Sequence, residues 1–120
     1  MRKILAVLLL LPVLAFAGEP PAATSKEINH LLSYLKESGC QFNRNGSWYS
    51  PAEAVDHLNQ KYQYLLKKGM VDTAEDFIAR AASESSMSGK SYQVQCGKQA
   101  AEPSGPWLKA ELMRYRGKQK

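Results

Sequence analysis

Four stretches of the chain carry apolar residues at the three- and four-residue spacing of an amphipathic helix. The first begins at Thr24, which together with Glu27 fits a capping box, and it ends at Gly39. The second runs from Ser50, which is followed by a proline and a capping glutamate, to Gly69. Each pattern predicts a helix with one apolar face.

The third and fourth stretches are shorter. Asp72 and Thr73 can cap a helix that has two acidic residues in its first turn and runs out among serines after Ala82. The last helix is expected from Pro106 to about Arg116, after a loop.

A different pattern lies between these helices. Cys40–Phe42 and Ser47–Tyr49 flank a turn that contains Asn45 and Gly46, and this pair favours a hairpin because both residues tolerate positive φ. From Tyr92 to Cys96, apolar and polar residues alternate, which predicts a strand with one buried face. We therefore expect an α+β fold with about four helices and a small antiparallel sheet, made of the hairpin plus one strand.

The chain begins with a pattern typical of a secretory signal peptide. Two basic residues precede an apolar run from Ile4 to Leu14, and Ala15–Ala17 supplies an AxA cleavage site. The run is shorter than the roughly 20 apolar residues that cross a membrane, and no cysteine follows it to carry lipid. We expect a signal peptide at residues 1–17, a flexible leader at 18–23, a single globular domain at 24–116 and a frayed basic tail at 117–120.

Charge narrows the class of partner. The full chain has 16 basic and 11 acidic residues, and loss of Arg2 and Lys3 with the leader leaves 14 basic and 11 acidic, a net charge of +3. Nucleic-acid binding calls for a stronger and more clustered excess, so we exclude nucleic acid. We expect export to the periplasm through the general secretion pathway, no stable membrane insertion after cleavage, and a periplasmic protein or cell-wall glycan as partner.

Cys40 and Cys96 are the two cysteines of the chain. In an oxidising compartment, such a widely separated pair in a small domain is expected to form one structural disulfide. Closing so long a loop stabilises a fold by roughly 4 kcal/mol in the chain-entropy model. The bond would place the last strand beside the end of the first helix and the hairpin.

The segment Ala81–Tyr92 holds five serines, a glycine, a lysine and a tyrosine. It can form an anion or sugar site, with charge from Lys90 and Arg80. The structural alternative is that small residues allow close packing, Met87 fills the core and Ser88–Gly89 makes a turn. A P-loop is excluded, because the first glycine of that motif is a glutamate here. The candidate ligand or partner loop comprises Ser85, Ser86, Ser88, Gly89, Lys90 and Tyr92.

The hairpin offers a second candidate surface. Phe42, Trp48 and Tyr49 can form an aromatic platform for sugar or peptide, with Arg44 at the tip, or one or two of them can cap the core. The candidate hairpin surface comprises Arg44, Asn45, Trp48 and Tyr49.

Catalytic and metal-binding patterns are weak. His57 lies one helical turn after Glu53, but zinc needs three or four ligands, and His30 is the one other histidine of the chain. No GxSxG elbow or diagnostic triad spacing accompanies the serines. We therefore assign no catalytic residue, metal or cofactor, and favour a protein that is not an enzyme.

Several phrases resemble the YfeK-like family of small periplasmic proteins of Gram-negative bacteria, a family without assigned function. They are EINHLLSYLKESGCQFNRNGSWY, EAVDHLNQKY, AEDFIARAASESSMSGKSYQVQC and WLKAEL, which together span nearly the whole chain after the leader. The resemblance implies an exported domain with Cys40 and Cys96 paired and with shared motifs at Ser38–Cys40, Arg44–Gly46 and the serine-rich loop. It brings no catalytic residues.

The segment Ser88–Tyr92 is also similar to the SGxxY pattern of bacterial periplasmic lysozyme inhibitors, in which a serine-bearing loop plugs the active-site cleft. Those inhibitors are mainly β, whereas this chain is mostly helical. The leading hypothesis is thus a non-enzymatic binding or interaction module of the cell envelope. The alternative is a lysozyme-inhibitor-like protein or a cell-wall hydrolase that uses the SGKSY loop.

Overall fold

The computed structural model describes residues 19–119. The predicted signal peptide at residues 1–17 therefore lies outside the described residues. Within them, the chain forms α1 (Ala22–Glu37), β1 (Gln41–Arg44), β2 (Ser47–Tyr49), α2 (Pro51–Lys67), α3 (Ala74–Phe77), a π-helical segment (Ile78–Ala82), β3 (Gln93–Gln95), β4 (Glu102–Pro103) and α4 (Ser104–Lys118). The predicted α+β class is confirmed.

The hairpin and the third strand form as predicted. The sheet has the order β2-β1-β3-β4, and each neighbouring pair is antiparallel. Asn45 and Gly46 connect β1 and β2 with φ values of 52° and 89°. Positive φ at both central residues matches the twist of the two strands.

The disulfide between Cys40 and Cys96 is present and joins residues 56 positions apart, with their Cα atoms 4.2 Å from each other. Phe42 pairs with Val94 in the register of β1 and β3. The bond therefore fixes the end of α1 and the start of β1 against the end of β3, as predicted.

The core lies where the helices meet one face of this sheet. α1 packs against α2, α3 and α4, while α2 contacts β1 and α4 contacts β3. The rings of Phe42 and Tyr92 are buried with their centroids 5.2 Å apart. The other fully buried large side chains are Ile28, Leu31, Leu35, Leu58, Phe77, Val94, Leu108 and Leu112.

The two predicted capping boxes have different outcomes. Ser50 and Glu53 form the box at the start of α2: the Glu53 amide donates to Ser50 Oγ, and the Ser50 amide donates to Glu53 Oε1. The box predicted at Thr24 is wrong, because α1 already begins at Ala22. Thr24 is buried and its hydroxyl donates to the carbonyl of Asp72, so it joins α1 to the turn before α3.

The third helix is interrupted in a way that the pattern did not predict. Thr73 caps α3 through a capping box with Asp76, and the helix then widens into the π-helical segment. The hydroxyl of Ser83 donates to the Ile78 carbonyl, 2.6 Å away, and satisfies an acceptor of the widened turn. A Cβ on Gly105 would lie 2.7 Å from Ser83 Oγ, so glycine permits α4 to approach this segment.

The last part of the chain also differs from the prediction. Glu102–Pro103, expected in a loop, forms the short strand β4, and α4 begins two residues before Pro106 and reaches Lys118, within the predicted tail. Ser104 explains the early start: it is buried, its amide donates to the Tyr92 carbonyl and its hydroxyl donates to the Ala82 carbonyl. Tertiary contacts thus extend the helix at its beginning.

Ion pairs connect α1, α3 and α4. Arg116 donates to both carboxylate oxygens of Glu27 and to both of Glu75, at 2.7–2.9 Å. Glu111, which is mostly buried, lies 2.5 Å from His30 Nε2 and accepts from Arg114 Nε at 2.8 Å. We call these six residues the ion-pair interface.

Candidate functional site

The serine-rich segment forms a compact turn organised by Ser85. Ser85 is only 5% exposed, and its Oγ accepts from the amides of Met87 and Ser88, each at 3.2 Å. Its backbone bonds to Gly89 and Lys90 close the same turn. Ser85 therefore shapes the loop, and its hydroxyl oxygen is occupied by donors instead of being poised as a nucleophile.

The side chain of Asn45 joins the hairpin tip to this loop. Its Nδ2 donates to Ser85 Oγ at 3.3 Å, and its Oδ1 accepts from Ser88 Oγ at 2.6 Å. The two surfaces that the sequence predicts separately are thus one continuous surface, although Asn45 and Ser88 are 43 positions apart.

A pocket of about 180 Å³ opens where the hairpin tip, the loop and α2 meet. Lys61 is one of its lining residues, and its Nζ donates to the Glu84 carbonyl at 3.0 Å and to the Tyr92 hydroxyl at 3.1 Å. The lining residues are Arg44, Asn45, His57, Lys61, Ser85, Ser86, Met87 and Tyr92. A second pocket, of about 200 Å³, adjoins it through the shared residues His57, Lys61 and Ser86, and is completed by Gln60, Tyr64, Leu65 and Arg80. We call the two pockets together, with the lining residues just given and Ser88, the junction surface.

The junction surface has a positive character. Arg44, Lys61 and Arg80 line the pockets, and no carboxylate side chain is among the lining residues. The pKa of His57 is lowered to about 4, first by burial and then by the charges of Arg44 and Lys61. His57 is therefore neutral at pH 7, and its Nε2 lies 3.2 Å from the Tyr92 hydroxyl. Because that hydroxyl already accepts from Lys61, its own proton is available to Nε2.

The residues predicted for the candidate ligand or partner loop have different roles in the structure. Ser86 is exposed and lines both pockets, whereas Ser88 bonds to Asn45 and Gly89 adopts a φ of 75° in the turn. Lys90 is exposed and lines neither pocket. Tyr92 is only 2% exposed, and its hydroxyl contacts His57 and Lys61.

Met87 departs from the structural interpretation of this loop. Its side chain is 96% exposed, so the prediction that it fills the core is wrong. The Met87 amide donates to Ser85 Oγ within this short turn, and the turn leaves the Met87 side chain in solvent. The junction surface thus presents the Met87 side chain and the ring of Tyr64, which is 60% exposed, to solvent.

The residues predicted for the candidate hairpin surface also lie in different places. Arg44 and Asn45 belong to the junction surface, and the Arg44 guanidinium lies 4.9 Å from the centre of the Tyr49 ring. Trp48 pairs with Asn43 while Tyr49 pairs with Phe42, so alternation directs Trp48 to the opposite face, where it is 43% exposed. Phe42 is buried in the core. No platform of three aromatic rings forms on this hairpin.

Lys61 and His57 were not among the residues that the sequence patterns predicted for the site. Both lie on α2 one turn apart, and the i, i+4 spacing that places them on one face is the signal that was available. Nothing in that spacing shows that the loop more than 20 positions later folds against this face. Glu53, considered with His57 as a metal pair, is instead held in the capping box of α2.

Within residues 19–119, no group of three or more His, Cys, Asp or Glu side chains is arranged to hold a metal ion. In the same part of the chain, no helix has the length and apolar character needed to cross a membrane.

A family model described as a family of unknown function, DUF5329, matches residues 22–116. The chain belongs to this family. It is 38% identical over 94 residues to the "Uncharacterized protein YfeK" of Salmonella typhimurium (strain LT2), covering 77% of each chain, which confirms the resemblance to the YfeK-like family. No solved structure matches the chain. The matched residues include the whole junction surface.

Proposed function

We propose that this protein is an exported, non-enzymatic binding module of the cell envelope, and that the junction surface is where its ligand or partner binds. The observation that carries this proposal is the double hydrogen bond of Asn45 to Ser85 and Ser88. It holds two polar loops together over adjoining pockets and keeps Ser86 and Met87 exposed between them.

The chemistry of the surface supports binding over catalysis. Ser85 Oγ receives three donors, and the Nε2 of His57 contacts Tyr92 instead of a serine. Acyl transfer needs a nucleophile within hydrogen-bond reach of a base, and the described contacts of these serines supply none. Rigid polar groups beside an exposed apolar side chain are instead typical of recognition.

Export is supported by the signal-peptide pattern and is compatible with the disulfide. Mass spectrometry of the protein recovered from the periplasm of intact cells tests it. The expected product starts at residue 18 and has Cys40 and Cys96 joined. Recovery from the cytoplasm with residues 1–17 still attached would contradict export.

Co-sedimentation of the purified, disulfide-bonded protein with peptidoglycan tests the binding site. We expect retention by the glycan and weaker retention for Asn45→Ala, because that variant uncouples the hairpin from the loop. Asn59→Ala is the matched control, since Asn59 is exposed on α2 outside both pockets. Equal retention of both variants would show that the glycan does not bind at the junction surface.

The same incubation with lysozyme present examines the alternative. An inhibitor that acts through the SGKSY loop would slow glycan cleavage, and Ser88→Ala would restore it. A hydrolase would cleave the glycan without lysozyme. We expect neither effect from a binding module.

A further inference from the structure

We propose that the junction surface binds a phosphate group, held by Lys61 between Arg44 and Arg80 and by the hydroxyl of Ser86. This inference rests on the proposed function, because it assigns a ligand chemistry to the same surface.

Three cations line the adjoining pockets from three different elements: Arg44 from β1, Lys61 from α2 and Arg80 from the π-helical segment. None of the three lies within 4 Å of a carboxylate among the described residues. Cations gathered without an ion pair within 4 Å repel one another, and an anion placed between them reduces that repulsion.

The donors of this cluster have unused capacity. Lys61 Nζ can donate three hydrogen bonds and makes two, to the Glu84 carbonyl and the Tyr92 hydroxyl. The Nε of Arg44 is buried and has no hydrogen-bond partner within residues 19–119. A buried guanidinium nitrogen without an acceptor is costly, and an anion beside the guanidinium would offset part of that cost electrostatically.

Phosphate fits this arrangement better than a carboxylate does. A carboxylate presents two oxygens in one plane, whereas a phosphate presents several in a tetrahedral array, which suits donors that approach from separate elements. Ser86 adds a hydroxyl that lines both pockets and makes no side-chain hydrogen bond in the described part of the chain. Neutral His57 contributes a polar wall without another charge.

Such a group has two sources in a cell envelope: the headgroup of an anionic phospholipid, or a soluble phosphate or phosphate ester. Titration of the purified, disulfide-bonded protein with inorganic phosphate, followed by the amide NMR signals, tests the shared chemistry. Vesicles of phosphatidylglycerol in phosphatidylcholine, compared with phosphatidylcholine alone, distinguish the sources. Saturable phosphate shifts confined to the junction surface support the proposal, and tighter binding to the anionic vesicles identifies the headgroup.

Arg80→Gln is the central variant, because Arg80 is exposed and its loss leaves the core unchanged. Removing one charge-assisted contact is expected to weaken phosphate binding about tenfold, and Arg44→Gln is expected to do the same. Lys36→Gln removes an equal charge from α1, away from both pockets, and should change the affinity by less than about twofold, since salt screens exposed charges. Equal affinity of Arg80→Gln, Arg44→Gln and Lys36→Gln would overturn the phosphate site.

The two proposals fail in different ways. Retention on peptidoglycan that depends on Asn45, without saturable phosphate shifts, overturns the phosphate site and leaves the binding module in place. Phosphate binding that depends on Arg80, without retention on peptidoglycan, removes the glycan as ligand and keeps the site.

Discussion

The ion-pair interface and the junction surface are both rich in basic side chains, but their cations have different partners. At the ion-pair interface, Arg116 bonds to Glu27 and Glu75, and Arg114 bonds to Glu111. At the junction surface, Arg44, Lys61 and Arg80 line pockets without a carboxylate.

The pKa values follow this difference. The hydrogen bonds from Arg116 lower the pKa of Glu75. Burial raises the pKa of Glu111, but the hydrogen bonds from His30 and Arg114 outweigh it, and the result is a lowered pKa. At the junction surface, burial and uncompensated cations lower the pKa of His57 instead. Charges that hold the fold together are paired within the chain, and charges left unpaired are available to a ligand.

Loss of the disulfide should have the largest effect on the free energy of unfolding. The disulfide fixes the segment between α1 and β1 against the end of β3. The double substitution Cys40→Ser with Cys96→Ser should lower the free energy of unfolding by roughly 4 kcal/mol, because the unfolded chain regains the entropy of a long loop. Denaturant unfolding of both forms measures it, and equal midpoints would contradict the prediction.

Loss of the Arg116 ion pairs should have the second-largest effect on the free energy of unfolding. Arg116→Met leaves two carboxylates side by side without their cation, and we expect a loss of about 2 kcal/mol after allowance for partial exposure. Lys118→Met, in the last turn of the same helix and exposed, should change stability by less than about 0.5 kcal/mol. A similar loss in both variants would show that the ion pairs are not responsible.

As the pH falls, the junction surface should lose its contribution to stability before the ion-pair interface does. The pKa of His57 is about 4 in the folded protein against an ordinary 6.5, so its contribution is complete above pH 6.5 and is lost as the pH falls toward 4. The loss is roughly 1–2 kcal/mol once solvent screening is allowed for. Glu75 and Glu111 have lowered pKa values, so their contribution is lost only as the pH falls below the ordinary 4.5.

Urea unfolding at pH 7 and at pH 4.5 checks this order in the wild-type protein and in His57→Gln. The wild type should lose stability between the two pH values, while the variant, which has no titrating ring, should lose less. An identical pH dependence of the two proteins would contradict the assignment to His57.

The smallest effect on the free energy of unfolding should come from Arg80→Gln, which removes one of the cations proposed to bind phosphate. Arg80→Gln should leave the free energy of unfolding within about 0.5 kcal/mol of the wild-type value, because Arg80 is exposed and has no ion pair within 4 Å among residues 19–119. Calorimetric unfolding measures it. A large loss would make Arg80 a structural residue and weaken the contrast between the two regions.

Local patterns predicted the local features of the fold. Asn45–Gly46 predicted the hairpin because few residue pairs accept two positive φ values, and Ser50 with Glu53 predicted the start of α2 because that box is complete within four residues. The start of α1 was not predictable in this way, since Thr24 has an acceptor on Asp72, 48 positions along the chain.

The candidate site shows the same division. Ser85, Ser86 and Ser88 stood out by composition and Arg44 and Asn45 by turn chemistry, but their union depends on contacts between segments about 40 residues apart. Lys61 did not stand out, because a lysine on a polar helix face resembles any solvated lysine. Only the packing of the serine loop against α2 gives it a role.

By itself, the sequence determined the α+β class, the hairpin, the capping of α2 and the pairing of the two cysteines. Each of these depends on interactions between near neighbours or on a choice with a single outcome. Apart from Arg114 and Glu111, which are three positions apart on α4, the tertiary structure decided which cations would meet carboxylates and which would meet a pocket. The sequence shows which side chains are charged, but the packing of distant segments decides which groups lie beside most of them.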